Sequence, residues 1–333
     1  MEDIFEINTT QTDPRPLDQK VLEASFMVVI MFLAISGNIL VLIAIKTHRS
    51  LHTNASVFIV NLAIADCLVG SIAMPFILGS NINYAWIGDY IYCNINGLTN
   101  SLFCLTSMLT LSAIALDRYC AIIHPLRYLD VMTPRKIAGL IIWVWTQPLL
   151  LCLIPIFTKF SRYKYFYNEY LCTVDWGYNY GYSLTIFGLC FMIPFISMVF
   201  CYYHILKIAR FHSRRIQDSE TSGEGKRRAK QLQRDAKAAT MLLVVIGTFL
   251  CCWLPHFTGI LCLTFTLNHC YWPDSFFTIT TWLAMLNSAC NPVIYGILDK
   301  RLRIAMMDVL CCFQKQKRRV DIWSSQGMSD LPM

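Results

Sequence analysis

Seven times along its length this chain runs apolar for the width of a lipid bilayer, at about 22–46, 55–80, 94–121, 137–157, 181–207, 238–265 and 276–298. A helix rises 1.5 Å per residue, so crossing the hydrocarbon takes ~20 apolar residues. Backbone N–H and C=O groups find no partner in lipid, so each span has to close its own hydrogen bonds as a helix. The pattern predicts an all-α fold, a seven-transmembrane helix bundle. Composition agrees: 56% of residues are hydrophobic and 15% are charged, against about 25% in a soluble domain. The net charge of +7 calls for no nucleic acid, because the basic residues gather on one side of the spans. Lys46, Arg49, Arg127, Arg135, Lys136, Lys207, Arg210, the 226–230 run, Lys300, Arg301 and Arg303 follow the odd-numbered spans. The other side holds Arg15, Lys20, Lys159, Arg162 and Lys164. The positive-inside rule then puts the N-terminus outside and the C-terminus in the cytoplasm of a multi-pass cell-membrane protein whose immediate partner is the lipid bilayer.

Residues 1–20 are polar and acidic and lack the basic and apolar regions of a cleavable signal, so the first span is expected to act as the anchor. Asn8-Thr9-Thr10 is a glycosylation sequon in this outer tail. Asn54-Ala55-Ser56 matches too but falls at the inner face. The third inner loop, roughly 208–237, is rich in charge, Gly and Ser and is expected to fray at its middle. The chain divides into an outer tail (1–20), the bundle (21–298), an amphipathic membrane-surface helix (299–312) and an inner tail (313–333).

The spans also carry polar residues that lipid would penalise. The third holds Asn94, Asn96, Thr99, Asn100, Ser101, Thr106 and Ser107, so it belongs inside the bundle. Asp66 lies midway along the second, with Ser107, Asn287 and Asn291 at about the same depth in theirs. A carboxylate with hydroxyl and amide oxygens suits a sodium ion; a hydrated polar network without an ion, or a protonated Asp66, is the alternative. Prolines 155, 194, 255 and 292 remove backbone bonds and are expected to kink their helices.

Taken in order, Asn38; Leu62 and Asp66; Asp117-Arg118-Tyr119; Trp145; Pro194 with Tyr202; Cys252-Trp253-Leu254-Pro255; and Asn291-Pro292-Val293-Ile294-Tyr295 resemble the rhodopsin-like (class A) G-protein-coupled receptors over about 20–312. Pro75 and Trp282 make the wording most similar to the amine-receptor group. The resemblance implies a receptor, not an enzyme, that binds a ligand near its outer face. It further implies a heterotrimeric G protein at the inner face, with arrestin as a further partner. It pairs Cys93 with Cys172; Cys262 and Cys270 either close a smaller loop or stay free. It gives Arg118 two partners, Asp117 and Asp235, and places Arg118 near Tyr202 and Tyr295 on activation. Pro125 and Leu126 become G-protein contacts, and Trp253, Asn291, Pro292 and Tyr295 parts of the switch. Asp299–Leu310 reads as a short amphipathic eighth helix, followed by Cys311 and Cys312 as palmitoylation sites. A transporter would want internal symmetry between spans, and a membrane enzyme paired carboxylates; neither is visible.

The ligand is where the chain departs from the pattern. Amine receptors bear an aspartate on the third helix where this chain has Asn100, and opsins a lysine where it has Met285. Retinal held by a Schiff base is excluded and a simple amine is disfavoured. The expected pocket is lined by Asn100, Ser101, Cys104, Phe187, Cys190, Trp253, His256, Phe257, Phe277 and Thr281. It is aromatic with a few polar handles and suits a small neutral or weakly polar ligand. A peptide or lipid ligand, or ligand-independent activity, are the other readings.

Overall fold

The computed structural model of the chain describes residues 13–217 and 223–311, and the side chains among them apart from those at 209–239, 241 and 242. Asn8, Cys312 and the side chain of Asp235 lie outside the described residues.

Seven long helices form the body: α1 (Leu17–Thr47), α2 (Asn54–Asn83), α3 (Tyr90–Ile123), α4 (Pro134–Phe157), α5 (Tyr180–Ile186 continued through Phe187–Met192 into Ile193–Gln217), α6 (Gly223–Phe265) and α7 (Asp274–Leu298). Polar residues just outside the apolar spans start several of them, each satisfying an N–H that the first turn leaves without a partner. Thr53 accepts from Ser56 N, Asp89 from Tyr92 N, Thr133 from Lys136 N and Asn179 from Tyr182 N. The stretch expected to fray is helical on both sides, with α5 reaching Gln217 and α6 starting at Gly223. The Lys, Arg, Gln and Ala of 226–238 are strong helix formers, and that propensity outweighs their charge.

Among the described residues, six helices are long and apolar enough to cross a membrane. α7 has the length, 25 residues, but not the hydropathy, because Thr278, Thr280, Thr281, Asn287, Ser288 and Asn291 interrupt it. All six of those side chains are buried, so its polarity faces protein. The same accounting places α3. In its most apolar 18-residue stretch 72% of residues are buried, against 22% for α4, so α3 is the central post and α4 sits at the rim. The other helices close a ring in which α1 meets both α2 and α7, and α6 lies between α5 and α7.

Two of the proline effects take a form the sequence did not specify. Ahead of Pro75, residues Val69–Ala73 form a π turn in which Met74 N bonds Val69 O, five residues back. Ahead of Pro194, Ile193 N bonds Gly188 O in the same way. A proline ring leaves no room for the carbonyl four residues earlier, and one extra residue in the turn makes that room. Pro148, Pro155, Pro255 and Pro292 lie inside continuous helices.

Between α4 and α5 the all-helical expectation gains a β-hairpin, β1 (Tyr163–Phe166) and β2 (Leu171–Val174), antiparallel with Tyr165 opposite Cys172. It is fixed to α3 by the Cys93–Cys172 disulfide and by Cys172 N donating to Asn96 Oδ1 at 3.1 Å. Cys262 and Cys270 are also bonded, closing the loop between α6 and α7. Tyr163 lies flat on α3 and donates its hydroxyl to Cys152 O at 2.8 Å. Gly97 allows this, since a Cβ there would stand 2.3 Å from the Tyr163 ring. Gly97→Ala should therefore lower stability by about 1–3 kcal/mol, the usual cost of overpacking. Thermal unfolding of the purified protein checks it, and an unchanged midpoint would mean the hairpin is free to lift off α3.

Candidate functional site

Polar side chains that lipid would reject are gathered into ties between helices. Asn38 Nδ2 donates to Ser288 O at 2.9 Å, joining α1 to α7. Asn61 joins three helices, donating to Thr110 Oγ1 and accepting from Trp145 Nε1, both at 2.8 Å. Asp66, fully buried, is the centre of another set: its Oδ1 accepts from Ser107 Oγ at 3.0 Å and its Oδ2 from Asn291 Nδ2 at 2.8 Å. Asn287 is buried one turn from Asn291 but is not bonded to Asp66 among the described residues. An ionised carboxylate has about four lone-pair positions. Three donors, Ser107, Asn291 and Ser288, leave one position for a cation, so these residues fit one.

At the Arg118 end the helices part around a cavity of about 930 Å³ lined by Arg118, Tyr202, Val245, Ile246, Tyr295 and Arg301, among others. Arg118 lies along Asp117, Nε to Oδ2 2.9 Å, with a second contact from Nη2. Asp117 is also held by Tyr128, whose hydroxyl donates to Oδ1 at 2.7 Å from the single helical turn Tyr128–Val131. Tyr119 turns away onto α5, its ring 5.8 Å from Phe200 and 6.1 Å from His204. Leu126 stands 97% exposed beside this mouth. Residues 300–311 form α8, capped by Asp299, whose Oδ1 accepts from Arg301 N and Leu302 N. Leu302, Ala305 and Val309 pack inward, while Ile304, Met307, Leu310 and Cys311 are exposed.

At the hairpin end the rings form a ladder. Phe257 is 5.5 Å from Trp253, 5.9 Å from Phe187 and 3.8 Å from Phe191, centroid to centroid. His256 lies 5.9 Å from Trp253. Asn100 is buried on α3 and accepts from the Cys104 thiol. Enclosed polar atoms without a partner recur here: Trp253 Nε1, His256 Nδ1, Thr281 Oγ1 and Trp282 Nε1. The hairpin turn closes the top. Thr278 Oγ1 donates to Asn168 O at 2.6 Å, and Tyr167 OH to Asp274 at 3.0 Å. On the other side Arg15 sits over the rings of Tyr84 (4.8 Å) and Tyr170 (5.1 Å). It also donates to Asn81 O and pairs with Asp13 and Glu23. Burial opposes the charge on Asp13, but bonds from Arg15 and Lys20 outweigh it and hold that carboxyl at about 2.

A family model described as 7 transmembrane receptor (rhodopsin family) matches residues 37–295. The chain belongs to that family. It is 31% identical over 327 residues to 5-hydroxytryptamine receptor 4 of Cavia porcellus, covering 91% of this chain and 83% of the relative. It is 30% identical to the histamine H2 receptor of the same species, covering 88% and 80%. The crystal structure of squid rhodopsin superposes with a TM-score of 0.80 over 91% of this chain and 88% of that one, at 23% identity, which establishes the seven-helix fold. The protein is thus a multi-pass membrane receptor and not an enzyme.

The receptor brings together Asp66, Ser107 and Asn291, and places Arg118 with Tyr202 and Tyr295 around one cavity. Trp253, His256, Phe257 and Phe187 share the ring ladder. Cys190 is fully buried and takes a bond from Gln147 on α4, so it backs that ladder. Phe277 packs across Gly259 of α6. Sequence reasoning missed Phe191, Tyr128 and Glu169. Nothing local marks the first two, but a carboxylate set among aromatic residues in the loop was a readable signal. Glu169 is 1% exposed, its Oε1 has no partner, and burial alone raises its pKa to about 8. A carboxyl whose pKa rises on folding favours the fold most when it is neutral. Stability should therefore fall as pH rises from about 4.5 through about 8. Glu169→Gln should remove that loss, as read by thermal unfolding of the purified receptor across this range.

Proposed function

We propose that this receptor takes a small organic ligand at its hairpin end, facing outside, and signals to a heterotrimeric G protein through the Arg118 cavity inside. The observation that carries this reading is one bundle with two unlike ends: stacked rings with enclosed unpaired polar atoms under a hairpin at one, and an arginine-lined cavity at the other. The basic residues around α8 and the loops beside Arg118 support the inward assignment of that end. Exposed Leu126 and the adjacent Pro125 form an apolar contact for the G protein, and arrestin would compete for the same mouth. The exposed apolar side of α8 lies on the bilayer surface, which presents Cys311 for acylation.

The relatives are receptors for 5-hydroxytryptamine and for histamine, both ring-bearing amines, and the ring ladder suits such a body. Asn100 offers no full charge, so the ligand is not held on α3 as in amine receptors. Stimulated nucleotide exchange on a purified heterotrimer tests the reading. Arg118→Ala should abolish exchange while thermal stability and surface expression hold; undiminished exchange would remove Arg118 from the interface.

Tyr128 is the described latch on Asp117. Losing one hydrogen bond is worth ~1 kcal/mol, a change of about fivefold in the balance of two states. Tyr128→Phe should raise basal exchange by up to about that factor at matched expression, and a lower basal rate would show that Tyr128 supports the active form instead.

Asp66 with Ser107 is proposed to hold a sodium ion that favours the inactive form. Sodium should then raise the unfolding temperature of the parent and leave Asp66→Asn unmoved. Equal responses in the two proteins would leave a hydrated network without an ion.

A further inference from the structure

A carboxyl is rarely buried without a partner, because its ionised form loses several kcal/mol on leaving water that only a counter-charge or a set of donors returns. Glu169 is such a group, neutral at rest and ready to ionise against an arriving cation. It stands in the four-residue turn between β1 and β2, 1% exposed, and no cation pairs with it among the described residues. The nearby Arg15 is already committed to Asp13 and Glu23.

The turn is anchored from both sides, so the carboxyl cannot easily swing out to water. Asn168, its neighbour, is tied through its carbonyl to Thr278 of α7. Tyr170, its other neighbour, adopts φ 56° and lies 6.3 Å from the Tyr84 ring at the end of α2. A left-handed tyrosine is costly unless its surroundings fix it. Beneath the turn, Thr281 and Trp282 follow Thr278 by three and four residues and share its side of α7. Thr281 Oγ1 and Trp282 Nε1 are both enclosed and without partners. The Trp282 ring stands 5.7 Å from Phe26 of α1. An unpartnered carboxyl in the turn, with an unpartnered hydroxyl and an indole one helical turn below the turn's tie to α7, thus mark this end of the bundle. A small ammonium group is the ligand chemistry that completes such a set, by charge-assisted bonds to the carboxylate and by its attraction to ring faces.

We propose that Glu169 is the anionic anchor for an ammonium group on this receptor's ligand, held under the hairpin turn between α2 and α7 instead of on α3. The ligand class is a primary or secondary aralkylamine, its ring directed toward Trp253 and Phe257. This rests on the reading of the chain as a small-molecule receptor, and it replaces the uncharged ligand that Asn100 alone suggests.

The test keeps binding apart from signalling. Purified full-length receptor is titrated with 5-hydroxytryptamine, histamine and 2-phenylethylamine, each beside its uncharged N-acetyl counterpart, and thermal stabilisation is read. At least one ammonium compound should stabilise the parent, and its N-acetyl form should not. In Glu169→Gln the half-maximal concentration should rise at least about tenfold, the loss expected for one charged hydrogen bond. Glu169→Asp, which keeps the charge, should retain most of the response. Equal potency in Glu169→Gln, a response to N-acetyl compounds alone, or no response to any of the three amines overturns the proposal. Nucleotide exchange on a purified heterotrimer is measured in parallel. Its absence under every condition counts against the signalling reading and leaves the binding result to stand or fall by itself, and a cooperative thermal unfolding transition of ligand-free Glu169→Gln shows that the variant is folded.

Discussion

Hydrocarbon gives a polar atom nothing to bond to, and much of this structure answers to that constraint. It forces the spans into helices and the polar residues of α3 and α7 inward. It turns Asn38, Asn61 and Asp66 into ties between helices. A soluble bundle could leave such side chains to water. Here each must find protein, so the polar residues decide which helix faces which, and the apolar ones fill the space between. α7 shows it most plainly: too polar to cross on its own hydropathy, it is shielded by the helices its polar side binds.

The helices, their order and the central place of α3 were legible because bilayer length and in-span polarity leave few alternatives. The Asp66 cluster was legible for the same reason, and Arg118 with Tyr202 and Tyr295 through the family's motifs. What escaped were contacts between segments far apart in the chain. Tyr128 meets Asp117 across the turn that follows α3. Phe191 enters the ring ladder because the π turn before Pro194 rotates one side of α5 relative to an unbroken helix. The hairpin escaped because residues 163–174 alternate only weakly and are held as much by α3, through Gly97, Asn96 and Cys93, as by their own pairing.

The two ends of the bundle differ in kind. At the Arg118 end, Arg118 and Asp117 are paired with one another and border an open cavity, an arrangement that a partner can rearrange at small cost. At the hairpin end several polar atoms are enclosed and unpaired, and such groups carry most weight for specificity. A site with unsatisfied donors and acceptors rejects compounds that fail to meet them more sharply than it rewards apolar bulk. On the proposed binding mode, selectivity at this end would rest on Glu169, His256 and Thr281 more than on the rings around them.

Arg15 alters where the folded body of this protein begins. By hydropathy the structured part opens with the first apolar residues of α1, yet Arg15 lies before that helix and is as enclosed as a core residue, with 7% of its side chain exposed. It supplies the counter-charge for Glu23, a carboxylate inside α1 that is itself buried. Cutting the chain back to Leu17 would strand that anion and strip the cover from Tyr84 and Tyr170. A fusion tag or an antibody epitope belongs ahead of Asp13. A protease or binder reaching the segment Asp13-Pro14-Arg15 would be working on the cover of Tyr84 and Tyr170 and not on a dispensable leader.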